Sequence, residues 1–334
     1  MGFSASRRVS GVVLATLVGL LVAGCAGDDG RSDDPSGETI GARLVLDFVP
    51  NAVHAGIYRA LAAGYYRKEG IDLEIRTPSS TTDTARLLVA GRAEFGLLDG
   101  LDLGKQVSEA RPLRASMAVL RRPAGGLVTL SDSDIRSPAD LAGRKVGETG
   151  APSDRAVFET MVESAGGNPA RSEVVSIGFG GVQALIAGRI DAFTGYVPAD
   201  STAVESKGYP TRSFPFDRFG GPPYPGLVVA TSFSTAAESP ELIRRFVRAT
   251  VRGYRDAIAD PERAVADLAE LADGVEPGFA LESFDAYRPY FGPPAGIGRI
   301  TRGPVRRLSR FMVEAGLIER GFTPDRFGLS VPPA

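Results

Sequence analysis

The chain of 334 residues carries 38 Lys and Arg against 40 Asp and Glu, a net charge of −2 at pH 7, with 43% hydrophobic and 23% charged residues. That balance describes a globular protein with enough apolar mass for two lobes, and it excludes a largely disordered chain. Lysine occurs only at Lys68, Lys105, Lys145 and Lys207, and the arginines are scattered, so no basic stripe marks a nucleic-acid partner.

Arg7 and Arg8 precede an apolar run from Val12 to Val22 that is too short to span a bilayer and is followed by small residues, the order of an export signal. Leu21-Val22-Ala23-Gly24-Cys25 resembles the lipobox of bacterial lipoproteins. The resemblance implies that residues 1–24 are removed and that Cys25 is lipidated, anchoring the protein to the cell membrane on its extracytoplasmic face. A plain secretory signal with an incidental cysteine is the alternative, and Ser6-Arg7-Arg8-Val9 leaves twin-arginine export open. Cys25 is the only cysteine, which rules out an intrachain disulfide, a thiolate metal cluster and a cysteine nucleophile inside the fold. Residues 25–41, rich in Asp, Gly, Ser and Pro, predict a flexible tether.

From Leu44 onward strands and helices alternate with short breaks, the signature of parallel α/β units. The apolar run Leu44 to Phe48 predicts a strand that ends on a carboxylate, a ring and a proline. Asn51 then caps a helix over Ala52 to Ala63, stopped by Gly64. Strands follow at Leu73 to Arg76, Phe95 to Leu98, Leu113 to Leu120 and Leu127 to Leu130, with helices at Thr82 to Gly91 and Leu101 to Ala110. Ser137-Pro138-Ala139-Asp140-Leu141 opens a short helix with proline in its first turn. The alternation then restarts: strand Lys145 to Glu148, helix Asp154 to Ala165, strand Val174 to Ile177, helix Val182 to Gly188, strand Ala192 to Tyr196. Phe214 to Pro225 predicts a loop leading to a strand at Leu227 to Thr231, and the remainder is mostly helical.

The restart implies a two-lobed α/β fold, each lobe a mixed or mostly parallel sheet flanked by helices. Residues 42–130 plus 226–334 form lobe one, 131–225 form lobe two, and two connections make a hinge and an interlobe cleft. Leu87 to Gly96 (LLVAGRAEFG) and Leu185 to Gly195 (LIAGRIDAFTG) are the same unit of helix, glycine stop and strand, used once per lobe.

Five pieces carry a resemblance to a known family: Asp47-Phe48-x-Pro50-Asn51-x-x-His54-x-Gly56-x-Tyr58, Gly64-Tyr65-Tyr66-x-x-Glu69-Gly70-Ile71-Asp72-Leu73, Leu88-x-Ala90-Gly91-x-Ala93-Glu94-Phe95-Gly96, Ser137-Pro138-x-Asp140-Leu141-x-Gly143-x-Lys145-Val146-Gly147 and Gly188-Arg189-Ile190-Asp191-Ala192. The chain resembles the NMT1/THI5-like substrate-binding proteins of ABC transporters that take thiamine pyrimidine precursors, of the type II periplasmic-binding fold. The resemblance implies a monomeric binding protein rather than an enzyme, without cofactor or metal, that closes on a small aminopyrimidine-like solute and delivers it to ABC permease subunits. Solutes of the riboflavin, sulfonate or nitrate class, a pyrimidine synthase like the eukaryotic relatives, and a sensor docked on a membrane kinase are the alternatives. This chain has Phe48 where the family usually has tryptophan, and Val197 near the position of another. The carboxylate that often follows the second aromatic falls at Asp200, and Asp102 stands where the eukaryotic synthases have a histidine.

The candidate site residues converge at strand ends, where open α/β sheets bind ligands. Asp47 either caps the following turn or accepts two hydrogen bonds from an exocyclic amine and a ring N–H. Phe48, Tyr196 and Tyr224 are either core or faces for a flat ring. Asn51 is first a helix cap. His54, the sole histidine, sits in the first turn of a helix, where a neutral imidazole hydrogen-bonding the ligand or Asp47 is favoured over imidazolium. The loop Gly150 to Ser153 either holds an anionic group on its amides or is an ordinary turn capped by Ser153. Asp99 ends its strand at the same cleft edge.

Overall fold

A computed structural model describes residues 39–329. The export signal, Cys25 and most of the tether lie outside the described residues. Ten strands form two sheets: β1 (Ile40–Val45), β2 (Ile71–Arg76), β3 (Phe95–Asp99), β4 (Leu113–Leu120) and β10 (Leu227–Ser232) in the first, and β5 (Gly125–Leu130), β6 (Lys145–Glu148), β7 (Glu173–Ser176), β8 (Ala192–Tyr196) and β9 (Thr211–Pro215) in the second. The strand orders, β2-β1-β3-β10-β4 and β7-β6-β8-β5-β9, match position for position. In each, the first three strands run parallel, and β10 or β5 enters antiparallel to both its neighbours.

The unit repeated in the sequence occupies equivalent places, β3 and β8 at the centre of their sheets. Each is preceded by a glycine at φ 64°, Gly91 and Gly188, in the left-handed region where a helix ends without a Cβ clash.

Both faces of the first sheet are apolar because both are covered. Leu44, Leu46, Phe95, Leu97, Leu227 and Val229 pack with Phe246, Tyr254, Phe284 and Phe291 of the C-terminal helices. Their alternating neighbours Val45, Leu98, Val228 and Ala230 pack on the opposite side with Leu103, Met312 and Phe327. The helix Pro240–Ala259 crosses Ala55–Ala62 at backbone contact: a Cβ on Gly253 would stand 2.1 Å from the Gly56 carbonyl oxygen and 2.6 Å from Ala60 Cβ. Replacing Gly253 with alanine is expected to lower the melting temperature by roughly 5 °C or more, because neither contact is a flexible side-chain tip that can swing away. Calorimetric melting checks this, and an unchanged transition would show that the helices separate at little cost.

Four elements depart from the sequence expectation. The first strand, expected at Leu44 to Phe48, runs Ile40–Val45, so it begins inside the expected tether of residues 25–41 and ends two residues before Asp47. Gly125–Leu130, assigned by sequence to lobe one, pairs with β8 and β9 in the second sheet, so the first crossing between lobes lies at residues 121–124. The helix Val197–Glu205 and strand β9 have no counterpart in the sequence reading. Only Val197, Pro198 and Val204 of that helix are buried, and only Phe214 of β9, too few to set up a period. The second crossing enters β10 through Gly226, whose N–H donates to the Leu120 carbonyl at 2.9 Å. A Cβ there would lie 2.1 Å from the Arg122 carbonyl oxygen, so the two crossing segments run side by side only with glycine at this position. Among the described residues no helix is long and apolar enough to cross a membrane.

Candidate functional site

The carboxyl ends of β1 and β3 face those of β6 and β8 across a cavity of about 340 Å³. Its wall takes Asp47, Phe48, Asn51, Asp99 and Asp102 from the first lobe, Thr149, Ser153, Asp154, Phe179, Tyr196 and Asp200 from the second, and Tyr224 and Tyr287 from the returning chain.

Asp47 leaves the sheet one residue after Leu46, whose N–H still donates to the Arg76 carbonyl at 2.9 Å. The His54 ring meets Asp47 Oδ1 through Nε2 at 2.9 Å, while His54 Nδ1 accepts the Asn51 backbone N–H at 3.1 Å. An Nδ1 that accepts cannot also carry hydrogen, so the proton sits on Nε2 and is donated to the carboxylate. Asn51 Oδ1 accepts from the Val53 N–H and its Nδ2 donates to the Val49 carbonyl, which seats the turn that places His54. The motif Asp47 to His54 is thus one device: cap, imidazole and carboxylate, with one Asp47 oxygen clamped and the other left for the cavity. His54 is wholly buried and is not part of the cavity wall. Of the two partners the sequence leaves open for it, the ligand or Asp47, the structure shows Asp47, with His54 standing behind that carboxylate.

Phe48 meets Phe179 of the other lobe with ring centroids 4.1 Å apart and planes inclined by 58°. Beside Phe48, one of the three faces offered by the sequence, a second aromatic face therefore converges from Phe179. Phe179 follows Gly178, at φ 53°, in a loop with no periodicity to flag it.

Asp99 holds the lobes together from the end of β3. Its Oδ1 accepts the Leu101 N–H at 2.8 Å, capping the next helix, and Tyr196, at the equivalent end of β8, donates its hydroxyl to Oδ2 at 3.0 Å. The Tyr224 hydroxyl reaches Oδ1 at 3.4 Å. Burial, with the Asp102 charge nearby, raises the Asp99 pKa well above the ordinary value. Tyr196 and Tyr224 serve here as donors to a carboxylate, so the polar ends of these rings are committed to Asp99 even where their faces reach the cavity.

The loop Gly150 to Ser153 is not a free anion site. Asp154 Oδ2 accepts the Gly150 and Ala151 N–H groups at 3.0 and 3.2 Å and the Thr149 hydroxyl at 2.8 Å. The protein's own carboxylate already fills the nest, and Gly150 is not part of the wall, whereas Ser153 is.

Three more carboxyls complete the wall. Burial raises Asp154, and it pushes Asp102 and Asp200 up to about 7, each helped by the Asp154 charge and opposed by hydrogen bonding, from Ser153 to Asp102 and from the Tyr196 backbone to Asp200. Gly195 is required beside Asp200, since a Cβ there would stand 2.1 Å from Asp200 Oδ2. Asp102 Oδ1 and the Tyr287 hydroxyl are buried and have no partner. Tyr287 and Asp154 escaped sequence reasoning: tyrosine on a C-terminal helix with a buried face looks like core, and an aspartate opening a helix looks like a first-turn charge. Lys207 is the one basic residue on the wall among the described residues.

The model of the NMT1/THI5-like family matches residues 51–264. The formylaminopyrimidine-binding protein of Halalkalibacterium halodurans is 31% identical over 254 residues, 76% of each chain. The 4-amino-5-hydroxymethyl-2-methylpyrimidine phosphate synthase of Legionella pneumophila is 25% identical, over 74% of this chain and 79% of that one. Among solved structures, the periplasmic aliphatic sulphonate-binding protein SsuA of Escherichia coli superposes with a TM-score of 0.68 at 15% identity, covering 89% of this chain and 93% of that one. With the two matched sheets, the cleft between them and this similarity across most of its length, the chain belongs to the NMT1/THI5-like family and has its two-lobed periplasmic-binding architecture.

Proposed function

We propose that the protein is the solute-binding component of an ABC importer and that it captures a small planar aminopyrimidine, of the kind that serves as a thiamine pyrimidine precursor, without making or breaking a bond. The observation that carries the proposal is the charge of the cleft: Asp47, Asp99, Asp102, Asp154 and Asp200 line it against one lysine, Lys207. Such a wall favours a guest rich in N–H donors and repels a sulfonate, a nitrate or a phosphate ester, whose charge would meet five carboxyls with a single exposed lysine to offset it. Phe48 and Phe179 supply apolar faces for a flat ring, worth about 1 kcal/mol beyond burial for a well-placed pair. Asp47, fixed by His54, reads an amine and a ring N–H with its free oxygen and the exposed edge of its bound one. Asn51, Asp99, Ser153, Tyr196, Asp200 and Tyr224 complete the contacts, and closure of the two lobes on the guest shifts the open-closed equilibrium by the contacts it makes to both.

The 31% identical formylaminopyrimidine-binding relative supports this ligand class, and the synthase relative keeps an enzymatic reading in the family. In this reading the export signal and Cys25 tether a monomer to the extracytoplasmic face of the membrane, where it meets its permease. Calorimetric titration with formylaminopyrimidine, hydroxymethylpyrimidine, thiamine, riboflavin and an alkanesulfonate tests it. The two aminopyrimidines are expected to bind and the alkanesulfonate not. Binding of the alkanesulfonate alone overturns the proposal.

A further inference from the structure

The helix Pro277–Phe291 packs in the first lobe and touches the second. Ser283 donates its hydroxyl to the Pro198 carbonyl at 3.4 Å, in the first turn of the helix Val197–Glu205 that carries Asp200. Phe279 and Tyr287, one helical turn to either side of Ser283, share its face of the helix, and both belong to the cavity wall. Tyr287 is wholly buried, its ring centroid 6.3 Å from that of Tyr290 and 6.1 Å from that of Phe291.

The hydroxyl at the end of that fixed ring bonds to nothing. Of the buried side-chain oxygens without a partner among the described residues, the others belong to the carboxyl groups of Asp102, Glu148 and Asp217. Tyr287 differs from them in lacking a partner for a hydrogen it keeps: burial, with the Asp200 and Asp47 charges adding to it, holds its pKa well above the ordinary value. Neither carboxylate accepts that hydrogen. Buried donors are nearly always paired, because no water is at hand to replace a missing acceptor. The other donors of the wall are already spent. Tyr196 and Tyr224 direct their hydroxyls to Asp99, Thr149 directs its own to Asp154, and the Asn51 amide donates to the Val49 carbonyl. The carboxyls therefore face the donors of a guest, and Tyr287 is left to face an acceptor.

Resting on the aminopyrimidine reading above, we infer that Tyr287 is a specificity-determining residue whose hydroxyl donates a hydrogen bond to an uncharged acceptor on the guest, a ring nitrogen or the carbonyl oxygen of an arm on the ring. The acceptor is uncharged because the Asp47 and Asp200 charges act at the same hydroxyl and repel an anion. A guest made only of donors, such as a simple alkylammonium ion, satisfies the carboxyls and strands this hydrogen in a dry wall. The cleft thus asks for donors and an acceptor together, which an aminopyrimidine carries on one ring.

The test compares the wild-type protein, freed of its export signal, with Tyr287→Phe. Calorimetric titration uses two probes: an aminopyrimidine with no arm, whose acceptors are ring nitrogens, and the same ring with a formamidomethyl arm, which adds a carbonyl. Tyr287→Phe is expected to weaken binding by about tenfold, the cost of burying one acceptor without its donor. Loss with both probes assigns the ring nitrogen and loss with the formamide probe alone assigns its carbonyl, either of which supports the inference. Melting without ligand separates recognition from packing. The variant deletes an unpaired hydroxyl and keeps the ring, so it is expected to melt no lower than the wild type. Unchanged affinity for both probes overturns the inference and leaves the aminopyrimidine reading intact. If the variant melts lower or does not fold, a crystal structure of the wild-type complex with the formamide probe decides instead. An acceptor atom of the probe about 2.8 Å from Tyr287 Oη is expected there, and a hydroxyl still unpaired, or turned onto Asp47 or Asp200, overturns the inference. If the wild type binds neither probe, the aminopyrimidine reading falls and takes this inference with it.

Discussion

Replacing Asp47 with asparagine is expected to weaken binding of the cognate aminopyrimidine by about a hundredfold, with the fold intact. The substitution keeps size and shape but turns one of two acceptors into a donor. His54 cannot rearrange to compensate, because its Nδ1 is engaged by the Asn51 amide at 3.1 Å and only Nε2 is left to face residue 47. The asparagine oxygen therefore settles on His54, and its NH2 group faces the guest's own amine, donor against donor. A hydrogen bond to a charged group contributes about 1.5 to 3 kcal/mol, so losing one and creating a repulsion reaches the stated factor. Calorimetry gives the affinity, and circular dichroism shows whether the protein is folded. If the variant keeps its affinity within about twofold, Asp47 is a turn cap and not the reader of the ring.

Raising the pH from 5 to 8 is expected to destabilise the unliganded protein, because burial holds Asp99, Asp154 and the carboxyls at 102 and 200 above their ordinary value; the last two set the scale. Their pKa values stand at about 7 in the fold against an ordinary 3.8. A carboxyl whose pKa is raised by folding favours the folded state while it is protonated. Its contribution is complete below about pH 4 and is lost as the pH rises through 7. Each shift of about three units corresponds to at most roughly 4 kcal/mol, and the two sites share Asp154, so their effects do not add. A total of about 2 to 4 kcal/mol is expected, read as a fall in melting temperature of several degrees. Asp200→Asn is expected to flatten this dependence and to melt higher than the wild type at pH 8. Melting curves at pH 5, 6, 7 and 8 for both proteins decide the point, and parallel curves would show that these carboxyls are hydrated in the fold.

Much of the frame was legible along the chain because local chemistry writes it. Short strand signals mark β3, β6, β8 and β10 close to where they lie, and the repeated helix, glycine and strand unit foretold two sheets of one design. The sheet membership of Gly125–Leu130 was not legible. An apolar strand carries no label for the sheet it joins, and β5 is placed by antiparallel pairing with β8 and β9, which lie tens of residues away.

The site divides in the same way. Asp47, Phe48, Asn51 and His54 lie within eight residues, and the capping turn alone brings Asn51 to His54 and His54 to Asp47, so sequence by itself determined that corner. It also determined that a single histidine cannot build a His-rich metal site and that the single cysteine precludes a thiolate cluster. Only the tertiary structure decided that His54 stands behind the wall and that Phe179, Asp154 and Tyr287 face the same space as Asp47. Those facts depend on burial and on meetings between residues more than a hundred positions apart. A side chain's chemistry is read from its own letter, but its hydration and its partners are set by what the fold brings against it.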